Sequence, residues 1–154
     1  MGKFFKVLGI IFAVLIISIC ALLAYASYTA NSLAGEYDSS SQSYVDKIIP
    51  VIASNWSPDD IQSNASPQLR EVMQPEALKQ AMFHLSRLGK LKHYGGSKGN
   101  AVISFKNLIS KVIHATYTAN ATFENGEAQI SIGIVQVNGQ WKLTDFYFNS
   151  PVLK

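Results

Sequence analysis

A chain of 154 residues, 48% hydrophobic and 15% charged, is enough for one domain with its own core. Its formal charge of +3 falls to about +1 once Lys3 and Lys6 of the N-terminal segment are set aside, so a basic pI does not point to nucleic acid. The single cysteine, Cys20, excludes an internal disulfide framework, and packing alone must hold the domain.

A short basic start, 1–6, reads as a cytoplasmic tail. Residues 7–26 (VLGIIFAVLIISICALLAYA) then carry no charge. At helical rise this run spans about 30 Å, the thickness of a hydrocarbon core. A cleavable signal peptide has a shorter apolar region, of about 7–15 residues. Ala24-Tyr25-Ala26 does offer a small-x-small cleavage site, and cleavage there is the alternative. Ile19 before Cys20 does not fit lipoprotein processing, which needs a small residue at that position. The reading is an uncleaved transmembrane signal anchor. Basic residues before it and Glu36 and Asp38 after it place the N-terminus inside. The expected location is a bacterial inner membrane, crossed once, with the domain in the periplasm or outside the cell.

Residues 27–43 are small and polar and read as a tether able to become helical, with an α+β domain over 44–154. Tyr44, Ile48, Val51 and Ile52 have helical spacing, interrupted by Pro50. Ser57-Pro58-Asp59-Asp60 is a helix start, with a serine cap, proline in the first turn and acids near the positive end of the dipole. Ser66-Pro67 and Gln74-Pro75-Glu76 repeat the device. The last of these helices sets Leu78, Ala81, Met82, Leu85 and Leu88 on one face and stops at Gly89. Leu91 to Tyr94 reads as an edge strand, 94–100 as a glycine-rich loop without phosphate-loop spacing, 101–105 as a strand and 106–110 as a turn. Arg87, Lys90, Lys92, Lys98, Lys106 and Lys111 fall in a stretch without acids, a solvated face or a patch for an acidic partner or lipid headgroups.

Residues 111–150 carry the clearest signal. Asn125-Gly126 and Asn138-Gly139 separate three alternating runs and predict a three-stranded antiparallel meander with type I′ turns. Counting from the first turn pairs Phe123 with Ala128, Ala119 with Ile132 and Tyr117 with Ile134. Counting from the second pairs Ile134 with Leu143 and Ile132 with Asp145. That count leaves two arrangements. Either a β-bulge near Thr144 sends Asp145 to solvent and brings Phe146 and Phe148 inside, or Asp145 lines a pocket with Tyr117 and Tyr147 beside it. In the second arrangement desolvation raises its pKa and makes it a proton acceptor. Trp56 and Trp141 read as core anchors. His84, His93 and His114 are too scattered for a metal site, and no cofactor or metal is expected. Asn120-Ala121-Thr122 fits a glycosylation acceptor pattern but lies inside a predicted strand.

Helices followed by a meander that ends in Asn138-Gly139-Gln140-Trp141-Lys142-Leu143-Thr144-Asp145-Phe146 resemble the nuclear transport factor 2-like (cystatin-like) superfamily. In that superfamily a curved sheet wraps a helix into a cone and the last strand often reads Gly-x-Trp-x-Ile/Leu. The resemblance covers about residues 44–149 and implies an α+β fold with helices packed on a curved antiparallel sheet. The uncharged span and the lack of catalytic clusters point to a membrane-anchored interaction or ligand-binding module without catalysis, and the resemblance implies the alternative, a small-molecule enzyme or binder using Asp145 and a tyrosine in the cone. The candidate ligand-binding residues are Tyr117, Asp145, Tyr147 and Trp141, and Asp145 is the catalytic candidate. Expected partners are the membrane through 7–26, a second copy through the outer sheet face, and an envelope protein. Nucleic acid is not among them.

Overall fold

The computed structural model describes the backbone of residues 2–105 and 111–154, with side chains at 16–25, 35–104 and 111–154. The chain forms helix α1 (Gly2–Asn55), three short helices α2 (Pro58–Asn64), α3 (Pro67–Val72) and α4 (Pro75–Leu85), and strands β1 (Leu91–Phe105), β2 (Lys111–Phe123), β3 (Glu127–Val137) and β4 (Gln140–Asn149). It divides into two compact units, Met1–Glu36 and Tyr37–Lys154.

In the first unit the described residues 16–25 and 35–36 are all exposed. Ile16, Ile17, Ile19, Leu22 and Leu23 are 47–68% accessible. Among the described residues no helix is long and apolar enough to cross a membrane. Of the anchor predicted over 7–26, the side chains at 7–15 and 26 lie outside the described ones. The predicted turn at 106–110 lies wholly outside them.

The second unit is an α+β domain in which helices cover one face of a curved four-stranded antiparallel sheet, ordered β1-β2-β3-β4. The alternation predicted for β2 is observed: Ile113, Ala115, Tyr117, Ala119, Ala121 and Phe123 are buried, and the residues between them face outward. Ala128, Ile130, Ile132 and Ile134 of β3 share that inner face. They form one buried cluster with Val45, Ile48, Ile49 and Ile52 of α1 and Leu78, Met82 and Leu85 of α4. Packing starts earlier than the predicted boundary at Tyr44, because Ser41 is fully buried and Tyr37 and Asp38 partly so. The helix also runs through Pro50 without ending. Ala81 is exposed, so the buried face of α4 is narrower than predicted. The predicted serine caps form: Ser57 Oγ accepts the N–H of Asp59 at 3.3 Å and Ser66 Oγ that of Leu69 at 3.2 Å.

Helix α1 ends on Trp56 in a left-handed conformation, φ 51°. That conformation costs a side-chain-bearing residue about 1 kcal/mol. The indole offsets the cost by packing against Phe123, with ring centroids 5.6 Å apart, and edge-to-face against Phe148 at 5.4 Å, and by donating to Gly89 O at 3.2 Å.

Two predictions about the sheet need correction. The Asn138-Gly139 turn has the positive φ pair of a type I′ turn, 50° and 78°, and Gln136 pairs with Trp141 as counted. At Asn125-Gly126 the register is two residues away from the count: Ala121 pairs with Ala128, Ala119 with Ile130 and Tyr117 with Ile132. Among the described residues Asn125 is not one of those with positive φ. The loop is instead held by the 3-10 turn Ser86–Leu88 that follows α4 and by Lys90. Asn125 N–H donates to Leu88 O and Glu124 N–H to Lys90 O, both at 3.0 Å, and Asn125 Nδ2 donates to Arg87 O at 2.8 Å. A slip of two residues leaves every side chain on its own face, so the inside and outside of the hairpin survive it.

The second correction concerns β1. The predicted edge strand, glycine loop and second strand form one 15-residue strand with register shifts between Leu91 and His93 and between Tyr94 and Ser97. As an edge strand, β1 presents N–H groups that need partners, and α1 supplies them. Asp46 Oδ1 accepts the Ser97 N–H at 2.8 Å and Asp38 Oδ1 accepts the Ala101 N–H at 2.6 Å. Eight helical residues rise about 12 Å, and four strand residues cover about 13 Å. The two carboxylates therefore match the edge in spacing.

Candidate functional site

The four residues singled out from sequence separate onto two faces of the sheet. Tyr117 and Trp141 face inward and Asp145 and Tyr147 face outward. The cause is a bulge in β4: Ile134 pairs with Leu143, but Gly133 pairs with Asp145 and Ile132 with Phe146. The extra residue is Thr144, and it shifts the parity of everything after it. Phe148 goes inside at 7% exposure, Phe146 is half-buried, and Tyr147 stands out at 64%. Asp145 is exposed, and its Oδ2 accepts the Thr144 hydroxyl at 2.8 Å. The pairing of Ile132 with Asp145, which put an acid into the apolar face, is therefore replaced.

Inside the sheet, the room left by Ala115, Ala119 and Ala121 belongs to the same buried cluster as α1. Tyr117, 1% exposed, places its hydroxyl 2.8 Å from Ser41 Oγ and donates to Asp38 O at 3.1 Å. Burial raises its pKa; the Ser41 bond acts against that, and the charges of Asp38 and Asp46 add to it. Trp141 Nε1 donates to Ser40 Oγ at 3.2 Å. Tyr94 donates to Asp46 Oδ1 at 2.7 Å, and burial followed by that bond raises its pKa. Gln42 Nε2 completes the seam by donating to Ser97 O at 2.8 Å. These phenols act as neutral donors that lock α1 onto β1 and β2. A base and a tyrosine do not converge here, since Tyr117 and Asp145 lie on opposite faces.

Sequence reading missed the outer face. Asn120 pairs with Gln129, and Gln129 pairs with Asn149, so three carboxamides lie side by side across β2, β3 and β4. All three are exposed. Among the described residues none accepts or donates a hydrogen bond to these carboxamides. On the β1 side the row meets Gly95-Gly96, where the register shifts. Gly96 has φ 81°, and a Cβ there would meet nothing within 4 Å. The side chain that would roof the row on β1 is therefore missing. What results is a trough of two adjoining clefts that share Gly95, Asn120 and Gln129. The first, about 220 Å³, reaches Lys98 and Thr118; the second, about 490 Å³, reaches His93, Glu127 and Asn149. Lys98 lines the first cleft and Glu127 the second, and the three carboxamides of the row are uncharged. The signal available in sequence was the pair of glycines inside a strand, which marks a bulge or a close approach.

A third cleft, about 390 Å³, lies between α4, β4 and the C-terminus, with Leu85, Phe146, Phe148 and Leu153 on its wall. His84 Nε2 lies 3.1 Å from Leu153 O at its rim. Among the described residues no cluster of His, Cys, Asp and Glu could hold a metal ion.

Comparison of the chain with family models, curated proteins and solved structures finds no match.

Proposed function

We propose that this protein is a membrane-anchored, extracytoplasmic binding module that meets its partner on the outer surface of the sheet. The observation that carries the reading is the parity change at Thr144, which turns Asp145 and Tyr147 to the outer face while Tyr117 is tied to Ser41 inside. The chemistry available to a ligand is then on the outside. The anchor is supported by the charge-free run at 7–26 and by the exposure of Ile16, Ile17, Ile19, Leu22 and Leu23, apolar surface that water does not favour. Basic residues before the run and acidic ones after it support an inside N-terminus. The resemblance of the helices-then-meander layout to the nuclear transport factor 2-like superfamily supports a cone-like domain on such an anchor.

The test uses labelling in intact cells. With Cys20→Ser as background, a cysteine placed at the exposed Gln68 is expected to react with a membrane-impermeant maleimide before lysis. The protein is expected to stay with the membrane in alkaline carbonate, and deletion of 7–26 to release it. Labelling only after lysis, or release of the intact chain by carbonate, refutes the anchor and its orientation.

A further inference from the structure

We infer that the trough along Gly95-Gly96, Asn120, Gln129 and Asn149 is a subsite for an uncharged, hydroxyl-rich ligand, a neutral glycan strand. The inference rests on the binding-module reading and names the ligand class of that surface.

A carboxamide carries a donor and an acceptor side by side, the arrangement that matches two neighbouring hydroxyls on a sugar ring. Here three of them stand in one row, each pair directly opposed across neighbouring strands. Strands are about 4.8 Å apart, close to the length of one pyranose unit, so the row offers one amide per ring of a strand laid across the sheet. Asparagine is disfavoured in strands, yet it holds both outer places in the row. A solvated strand face would be served at less cost by threonine, as at Thr116, Thr118 and Thr122 of β2. Tyr147 stands two residues from Asn149 on the same face, about 7 Å along β4. Its exposed ring can lie against the apolar face of a sugar.

Charge points the same way. The row itself holds no charged group, and one charge of each sign flanks it, Lys98 in the first cleft and Glu127 in the second. The trough therefore offers no concentration of charge of one sign to an anion or a cation. A protein interface draws on an apolar centre rich in aromatic residues, whereas the three residues of this row are all carboxamides, with the ring of Tyr147 beside them. Nucleic acid would need a basic stripe.

The experiment is a titration of the full chain, in a detergent without a sugar headgroup, with cellohexaose and with chitohexaose. Calorimetry gives the affinity, and the side-chain amide NMR signals locate the contact. The expected result is saturable binding of at least one hexasaccharide, with Kd of about 1 mM or tighter and shifts confined to Asn120, Gln129 and Asn149. Asn120→Ala with Gln129→Ala is expected to raise Kd about tenfold or more. Gln129→Thr, which keeps a strand-favouring residue, should do so in part without moving the urea midpoint. Thr116→Ala should change nothing. Binding of neither sugar, undiminished binding by Gln129→Thr and the double variant, or a dimer of the full chain that buries the row each overturn the inference. Failure here leaves labelling and membrane retention intact, and failure of those leaves the titration intact, so the two readings fall separately.

Discussion

Asp46 is one of the residues that join helix α1 to the sheet, and its replacement tests that join. One carboxylate oxygen accepts two bonds, from Tyr94 Oη at 2.7 Å and from Ser97 N at 2.8 Å. Hydrogen bonds to a charged group contribute about 1.5–3 kcal/mol each. The Tyr94 hydroxyl belongs to a half-buried residue and can turn to water, so it takes the lower figure. Ser97 is 3% exposed, and its N–H takes the upper one. Asp46→Ala should therefore cost about 4 kcal/mol, a large part of the usual stability of a small domain. Asp46→Asn keeps an acceptor oxygen and loses only the charge, for about 1 kcal/mol. Urea unfolding followed by tryptophan fluorescence reads these values, because Trp56 and Trp141 both lie against the core. Tyr94→Phe in a double-mutant cycle with Asp46→Ala should give a coupling of about 1 kcal/mol. The reasoning fails if Asp46→Ala lies within about 0.5 kcal/mol of wild type, or if Asn costs as much as Ala.

Three further outcomes follow from the same geometry. Phe148→Ala empties a place against Trp56 and Phe123 and should cost about 3–5 kcal/mol in urea unfolding, whereas Tyr147→Ala should stay within about 0.5 kcal/mol; a reversal would mean that β4 has no bulge. Gly99→Ala would drive a methyl into Thr116 O and the Tyr117 backbone, separating β1 from β2, and should cost about 1–3 kcal/mol with faster amide exchange along β1. Tyr44 has its pKa pushed up to about 12 by burial. Its folded value lies above the unfolded value of about 10, so this contribution to stability is whole below pH 10 and is lost as pH rises through 12. Tyr44→Phe should flatten that part of a stability-against-pH curve, and an unchanged slope would refute the assignment.

Local chemistry made much of this domain legible. Serine and proline pairs marked the starts of α2 and α3, and period-two alternation put the correct face of β2 inside. Asn138-Gly139 formed the turn its residue types favour. The proposed anchor rests on composition, a run of 20 uncharged residues whose helical length matches a hydrocarbon layer, and the labelling experiment is its test.

Tertiary contacts decided the rest, in places where two local solutions differ little in energy. At Asn125, a two-residue slip keeps every side chain on its own face, so periodicity could not choose the register and bonds to Arg87 and Leu88 did. Along 94–100, glycines favour a loop until Asp46 of α1 accepts the Ser97 N–H, and Asp38 that of Ala101 just beyond, and the segment is held as strand. At Thr144, both parities were open in sequence. The choice went to the one that buries Phe148 and hydrates Asp145, because an apolar ring gains by leaving water and a carboxylate loses. The same choice placed Tyr147 on the outer face beside Asn149. The row of Asn120, Gln129 and Asn149 belongs to no single stretch of sequence, and it exists only because three strands are paired in register.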